Sequence, residues 1–245
     1  MDGETVRSYF RNPVAVQHYV EAATRLGLWA SEETVLTQVF TREETLLDCG
    51  CGAGRITFGL WELGYRHLLG FDFSREMIVE ARRMARILEY GISFRVADAT
   101  RLDFEKESFD GAVFGFNGLM QIPLRAKRRK ALSRIAAVIR PGGHFIFTTH
   151  DRDLNSYRDL WETERRIWQA GEQSTSLLEF GDRHFSTPQG TTFIHIPDQD
   201  EVREDLDASG FEMVETHLRS QLASERAEVR EFSEECRFWI ARKLL

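Results

Sequence analysis

The stretch that decides the fold is Thr45-Leu-Leu-Asp-Cys-Gly-Cys-Gly-Ala-Gly-Arg-Ile-Thr57. It begins with a short apolar run typical of a buried strand and turns at three glycines, Gly50, Gly52 and Gly54. Apolar residues then recur at helical spacing from Ile56 onward. A strand, a glycine turn and a helix leave backbone N–H groups open at the positive end of that helix, where an anionic group binds well. Glycine is required because a Cβ would block the backbone angles or the approaching ligand.

The segments that follow repeat the pattern of a strand with a polar side chain after it. Helical segments separate these strands through residue 149, which predicts βαβ units and a parallel sheet with helices on both faces. Right-handed crossovers then place the carboxyl end of each strand along one edge, where doubly wound folds bind ligands. The polar residues at the predicted strand ends are Asp48, Asp72, Asp98, Asn117 and His150.

The chain here resembles the class I S-adenosylmethionine (SAM)-dependent methyltransferases. The motifs that carry the resemblance are LLDCGCGAGR, GFDFSREMI, VADAT, FDGAVFGFNGLM and IRPGGHFIFT, within residues 45–149. The resemblance implies an α/β, doubly wound, mostly parallel seven-stranded sheet with a Rossmann-like fold. It also implies that the final strand is inserted antiparallel between strands five and six.

The chain divides into four predicted parts. Residues 1–44 form an N-terminal helical lid, with a helix that begins at Asn12-Pro13, and residues 45–149 form the SAM-binding core. Residues 150–197 interrupt the βα rhythm with an aromatic-rich helix and a hairpin around Pro188-Gln-Gly190, as an inserted cap or substrate region. Residues 198–245 supply the last helix and the closing strands.

The resemblance implies SAM as the cofactor and assigns it to particular residues. The glycine turn and Arg55 meet its carboxylate, Asp72 with Phe73 meets the ribose, and Asp98 with Ala99 meets the adenine. Asp48 orders the loop or meets the amino group. The full predicted set is Asp48, Gly50, Gly52, Gly54, Arg55, Asp72, Phe73, Asp98, Ala99 and Asn117.

Methyl transfer is an in-line displacement, so most of the catalytic work is to position the acceptor and exclude water. A general base is needed only where a proton keeps the acceptor un-nucleophilic. The candidates for polar catalytic groups are Asn117, His150 and His18, and the candidates for the acceptor pocket are Tyr9, Tyr19 and Tyr157.

The net charge of −7 disfavours a polyanionic partner. The basic run from Arg125 to Arg134 is predicted to form the solvated face of a helix, because its apolar residues have helical spacing. We therefore expect a small-molecule acceptor, although a tRNA base or a protein remains open. The atom that accepts the methyl group is not indicated by the sequence.

Three cysteines, Cys49, Cys51 and Cys236, make no disulfide framework and are predicted to be packing residues, so we assign no metal. No apolar run is long enough to span a membrane, and the N-terminus lacks the pattern of a secretory signal. These features predict a cytoplasmic enzyme without a membrane partner, as a monomer or homodimer.

Two other functions remain open. One is a non-catalytic domain that binds SAM or S-adenosylhomocysteine, because a complete binding set without an obvious base fits this too. The other is a nicotinamide-dependent oxidoreductase, which the G-x-G-x-G spacing and the Asp98 and Asn117 positions disfavour.

Overall fold

The computed structural model describes residues 3–188 and 190–245, with side chains from residue 5 onward. Seven of the strands described form one sheet in the order third, second, first, fourth, fifth, ninth, eighth, and the sixth and seventh form a separate hairpin. The strands are β1 (Thr45–Cys49), β2 (His67–Asp72), β3 (Ser93–Val96), β4 (Phe109–Phe114), β5 (Ile139–Thr149), β6 (Asp182–Thr187), β7 (Gly190–His195), β8 (Phe211–Leu218) and β9 (Arg237–Lys243).

The sheet has the topology that the sequence implied. Strands β1 to β5 run parallel, and β9 lies antiparallel between β5 and β8. The prediction of an inserted antiparallel final strand is therefore confirmed. The carboxyl ends of β1, β2, β3 and β4 are neighbours at one edge, which is where the polar residues of the sequence motifs come together.

Helices cover both faces of this sheet. They are α1 (Gly3–Arg11), α2 (Pro13–Glu21), α3 (Ala30–Val39), α4 (Arg55–Glu62), α5 (Arg75–Ile87), α6 (Arg125–Val138), α7 (Arg158–Ala170), α8 (Gln199–Asp207), α9 (Arg219–Leu222) and α10 (Ala227–Phe232). Helix α5 starts after Ser74, whose Oγ accepts a hydrogen bond from the amide of Met77. Helix α2 starts at Pro13 after Asn12, whose side chain accepts from the amide of Val14.

The N-terminal part contains more helix than the sequence predicted. Helix α1 precedes the predicted helix, and a π-helical turn, Ala22–Leu26, extends α2 to Gly27. Apolar side chains of α1 and α2 share one cluster with Met77 of α5 and Phe193 of the hairpin. The lid and the cap therefore pack on the core, and the four-part division of the chain stays a prediction.

The basic run on α6 keeps the predicted solvated face only in part, because Lys127, Lys130 and Arg134 are exposed but Arg128 is not. Arg128 is fully buried, and its Nη2 lies 2.9 Å from Glu179 and 3.1 Å from Glu201. Arg125 and Arg129 both bond Asp205 of α8, at 2.6 Å and 2.7 Å. The physical reason is that α6 faces acids from α8 and from the cap, so Arg128 is paired inside the fold and Arg125 and Arg129 are paired at its partly exposed edge.

Part of the hairpin turn predicted around Pro188-Gln-Gly190 falls on Gln189, which lies outside the described residues. The two strands on either side pair antiparallel from Asp182 with His195 to Thr187 with Gly190. The hairpin is therefore as predicted, with β6 beginning at Asp182.

Candidate functional site

A cavity of about 390 Å³ lies at the carboxyl edge of the sheet, within the size range of small-molecule sites. Its floor comes from the ends of β1 to β4, and its cover comes from α1 and α2. Predicted site residues that line it are Asp48, Gly50, Gly52, Arg55, Asp72, Phe73, Asp98, Ala99 and Tyr19. The strand ends therefore converge as the sequence analysis expected.

Gly52 is the glycine of the turn that faces the cavity. Its φ is +53°, and none of the described atoms would lie within 4 Å of a Cβ built there. A Cβ on Gly50 would instead meet the Phe114 ring at 2.4 Å, and one on Gly54 would meet the Phe58 ring at 2.8 Å. The absence of a side chain at Gly50 and Gly54 thus lets neighbouring rings pack closely, whereas a side chain at Gly52 would project into open space. This is the opening that a ligand in contact with the backbone requires.

Two buried carboxyl groups lie at the ends of β1 and β2. Asp72 accepts hydrogen bonds from the amides of Gly52 at 3.0 Å and Ser74 at 2.8 Å, and burial raises its pKa to about 6. Asp48 accepts from Thr57 Oγ1 at 2.5 Å, and burial raises its pKa to about 7. Neither carboxylate has an ion pair with a described cation, so donors from a ligand would stabilise the charged forms.

Asp98, at the end of β3, has the opposite electrostatic surroundings. Its Oδ1 accepts from the amide and hydroxyl of Thr100, and Arg7 of α1 reaches its Oδ2 at 2.6 Å. Burial alone would raise the pKa of Asp98, but these hydrogen bonds and the Arg7 charge outweigh it, and the pKa lies below its usual value. Arg7 also stands over the Phe73 ring, 5.4 Å from its centroid. Helix α1 is therefore fastened across the cavity.

Arg55 lines the cavity, but its guanidinium group is not free. It forms a two-point ion pair with the buried Glu32 of α3, at 2.5 Å and 2.6 Å, and donates to the carbonyl of Gly27 at 3.0 Å. The predicted contact between Arg55 and a ligand carboxylate is therefore corrected in part, since most of its donors are used within the fold. Sequence reasoning missed Glu32 as its partner, because the two residues are 23 positions apart.

Asn117 and His150 lie next to each other behind the cavity wall. Asn117 Nδ2 is 3.2 Å from His150 Nε2, and His150 Nδ1 is 3.2 Å from the carbonyl oxygen of Glu235. This network assigns the proton to Nδ1 and leaves Nε2 as the acceptor. Burial lowers the pKa of His150. Because both ring nitrogens are engaged, the structure gives no support to His150 as a general base, and neither residue lines the cavity.

Three further predicted residues do not line the cavity. Tyr9 is buried and its hydroxyl lies 3.3 Å from Thr187 of the hairpin. His18 stacks on Phe232 at a centroid distance of 4.9 Å. Tyr157 donates to Glu234 at 3.2 Å. These contacts explain why the side chains point elsewhere, and they correct the expectation that His18, Tyr9 and Tyr157 face the acceptor.

Among the predicted aromatic candidates, Tyr19 is the one that lines the cavity, and burial raises its pKa above the usual range. The structure adds Phe10, Phe116 and Phe232, which the sequence analysis did not single out. Phe116 could have been found from the sequence, because it lies two residues after the end of β4. Phe232 sits in a short helix near the C-terminus and gave no signal.

One group of possible metal ligands occurs outside the cavity among the described residues. Side-chain atoms of Glu179, Asp182 and His195 lie within 4.8 Å of one another. His195 Nδ1 is 2.8 Å from Asp182, and Glu179 accepts from the backbone of Arg125 and from Arg128. These contacts hold the cap to α6, and the assignment of no metal stays a prediction. None of the described helices has the length and apolar character to cross a membrane.

Comparison with known proteins bears on the same region. Residues 46–143 match a family described as "Methyltransferase domain". The match covers less than half of the chain, and the sheet around it shares the fold of a solved SAM-dependent methyltransferase from Methanosarcina mazei, with a TM-score of 0.68 at 22% identity over 86% of this chain and 97% of that one.

Among curated proteins, the Ubiquinone biosynthesis O-methyltransferase of Alkalilimnicola ehrlichii is 33% identical over 113 residues, which cover 46% of this chain and 44% of the relative. The chain spans about half, or less, of the length of the curated relatives that it matches.

Two solved structures share the fold. The 1,6-didemethyltoxoflavin-N1-methyltransferase of Burkholderia thailandensis, with its acceptor and S-adenosylhomocysteine bound, has a TM-score of 0.61 at 20% identity. The match covers 100% of this chain and 92% of that one. The [4+2]-cyclase SpnF has a TM-score of 0.70 at 18% identity, covering 100% and 98%. At these identities the likeness is one of fold.

Proposed function

We propose that the chain is a SAM-dependent methyltransferase that acts on a small-molecule acceptor. The observation that carries the proposal is the cavity in which the open face of Gly52 meets the strand-end acids Asp72 and Asp98. The family match over residues 46–143 and the small-molecule methyltransferases among the relatives support it.

The residues present fit the proposed cofactor. Gly52 and Ala53 line the cavity beside the N-terminus of α4, where the helix dipole favours a carboxylate. Asp72 accepts the ribose hydroxyls beside Phe73, and Asp98 with Ala99 meets the adenine edge. Asp48, tied to Thr57, orders the turn. Gly50 and Gly54 shape the turn. Asn117 does not line the cavity, so its contribution to the site is indirect.

When bound, SAM supplies a methyl carbon on a sulfonium group. The chemistry that it would supply is transfer of this carbon to a lone pair of the acceptor, with the C–S bonding pair left on sulfur and the proton of an O–H or N–H acceptor passed to water. The chain's own contribution is to hold the two molecules in line and to exclude water beneath α1 and α2.

The experiment that tests this proposal is calorimetry with SAM, S-adenosylhomocysteine and NAD on the full chain. We expect the first two to bind and NAD not to bind. Gly52→Ala is expected to weaken S-adenosylhomocysteine binding more than about 100-fold, because the methyl group enters the ligand's space.

A matched control is Gly171→Ala. Gly171 lies at the end of α7, away from the cavity, and has a φ of +72°, so alanine there causes similar backbone strain. No described atom lies within 4 Å of a Cβ added at Gly171 either. The proposal is contradicted if Gly52→Ala and Gly171→Ala bind S-adenosylhomocysteine alike.

A second candidate is a domain that binds SAM or its product without transferring the methyl group. The specific observation in its favour is that both nitrogens of His150 are engaged. Turnover of labelled SAM across a panel of phenols, amines and carboxylic acids separates the two functions, because the second candidate binds the cofactor and gives no methylated product.

A further inference from the structure

The order of strands indicates which end of the cavity receives the acceptor, an argument that rests on the proposed function. The strands at this edge run in the order β3, β2, β1, β4. The proposed contacts to adenine, ribose and carboxylate follow β3, β2 and β1 in turn. The reacting methyl group therefore faces the end of β4, and Phe116 is one of the residues exposed to the cavity there.

Aromatic rings form a continuous row along the cavity toward that end. The row is Phe73, Phe10, Tyr19, Phe116 and Phe232, all of which line the cavity. Successive ring centroids lie 5.7, 5.6, 6.1 and 5.4 Å apart. These separations are those of interacting aromatic pairs. The last two rings come from separate parts of the chain and are tilted by 34° to each other.

The rings of Phe116 and Phe232 are fixed in position by the residues that pack around them. Phe116 has a φ of +49° and Asn117 a φ of +56°, both left-handed, and the Asn117 amide donates to Thr148 Oγ1 at 2.9 Å. The Trp29 ring meets both phenylalanines edge to face, at 5.6 Å and 6.5 Å. Strained backbone at such a position persists only where the surroundings fix it, so the ring has a set orientation before any ligand arrives.

None of the residues that line the cavity at the end of β4, which are Phe114, Gly115, Phe116 and Gly118, is charged, and Asp48 of the neighbouring β1 already accepts a hydrogen bond from Thr57. Arg7 and Arg55 are paired with Asp98 and Glu32 respectively. Arg101 and Lys127 also line the cavity, on the turn Ala99–Arg101 that follows β3 and on helix α6, which packs against that turn. A carboxylate, phosphate or ammonium group placed beside Phe116 would lose its hydration without gaining a counter-charge.

We propose that the acceptor is a planar, uncharged aromatic or quinoid ring, and that Phe116 and Phe232 form the surface that selects it. A flat ring stacks on such side chains and buries apolar area without a charge penalty. The methylated atom is then a heteroatom on the ring, turned toward the methyl group above the β1 turn.

The test uses three probes that differ in one property each. They are 2-naphthol, which is flat and neutral, 2-naphthoate, which is flat and anionic, and decahydro-2-naphthol, which is neutral and saturated. Affinities are measured by calorimetry on the full chain, with and without S-adenosylhomocysteine. We expect 2-naphthol to bind most tightly, by about tenfold or more over the other two.

The variants Phe116→Leu and Phe232→Leu are expected to weaken 2-naphthol binding by about 2- to 12-fold, the value of one aromatic contact. The control Phe185→Leu, on the exposed hairpin, is expected to have no effect. If Phe116→Leu fails to fold, Phe232→Leu on its separate short helix still decides the outcome.

The proposal is overturned if 2-naphthoate or decahydro-2-naphthol binds as tightly as 2-naphthol. It is also overturned if both leucine variants keep the affinity of the wild type. Failure of the proposed function looks different, because the wild type would then not bind S-adenosylhomocysteine at all, whereas the ring preference is measured without that ligand as well.

Discussion

Two sets of buried acids lie in opposite electrostatic surroundings in this molecule. At the cavity, Asp48 and Asp72 have pKa values raised by burial to about 7 and about 6, with no described cation paired to them. Where the cap meets α6 and α8, burial would likewise raise the pKa of Glu201, but His195, Arg128 and Arg125 lower it to about 2. Glu201 is less buried than Asp48 and Asp72, and, unlike them, it has cationic partners.

The difference distinguishes acids without cationic partners, at the cavity, from acids that have such partners within the chain, at the cap. The acids at the cap have their donors within the chain and hold α6, α8 and the hairpin together. The acids at the cavity have mainly backbone amides and hydroxyls, so a ligand with hydrogen-bond donors lowers the cost of their charged forms. This view makes different predictions for mutations in the two regions.

The largest effect is expected at the cap. Arg128→Met removes a fully buried cation and leaves Glu179 and Glu201 without one partner, which costs about 3–5 kcal/mol of unfolding free energy. Urea unfolding measures this loss. The matched change Arg129→Met on the same helix, at a side chain that is 38% exposed, is expected to cost under about 1 kcal/mol. Equal losses would mean that the buried network is not what stabilises the cap.

The sequence predicts the sheet and the cavity floor better than it predicts the ion pairs of the two regions. The sheet and the cavity floor follow from short-range patterns, because a glycine turn or a strand-end acid is encoded within a few residues. The pairs Arg55–Glu32 and Arg7–Asp98 join residues 23 and 91 positions apart, and no local pattern marks them. The solvated face expected for α6 was wrong for Arg128 for the same reason, since its partners lie 51 and 73 positions away.

The acceptor end was the least predictable part. It combines Tyr19 from the lid, Phe116 after β4 and Phe232 from a short C-terminal helix. Residue type alone makes His18 and Tyr157 candidates, but in the structure their side chains do not line the cavity. Only the packing of the lid and of the C-terminal segment decides which rings face inward.

The next effect in size is at the cavity. Asp72→Asn keeps the shape of the side chain and removes the charge, and it is expected to weaken S-adenosylhomocysteine binding by about 1.5–3 kcal/mol, roughly 10- to 150-fold. Calorimetry measures the change, and urea unfolding checks that the variant is folded. Unchanged affinity in a folded variant would remove Asp72 from the proposed ribose contact.

A smaller effect is expected from pH. Asp72 has a folded pKa raised to about 6, so the unliganded protein loses the associated stability as pH rises through that value. A ligand that donates to the carboxylate favours the charged form, so its affinity should rise about tenfold between pH 5 and 7.5. Asp72→Asn should flatten this rise. A wild-type affinity that falls over this range would contradict the prediction.

The smallest effect is expected where the lid is fastened. The Arg7–Asp98 pair is partly exposed, at 37% and 27%, and such pairs contribute about 0.2–1 kcal/mol. Because Arg7 spans the cavity from α1, its loss should act mainly on the rate at which ligand leaves. Arg7→Gln is expected to speed dissociation of S-adenosylhomocysteine about two- to fivefold in stopped-flow measurements, with the association rate unchanged. The wild-type rate should approach that of the variant as salt is raised, since salt screens the ion pair. Arg11→Gln makes the same charge change at an exposed position of the same helix and should leave the rate unaltered. If Arg7→Gln binds more tightly than the wild type, Arg7 competes with the ligand for Asp98, and α1 obstructs the cavity instead of retaining its occupant.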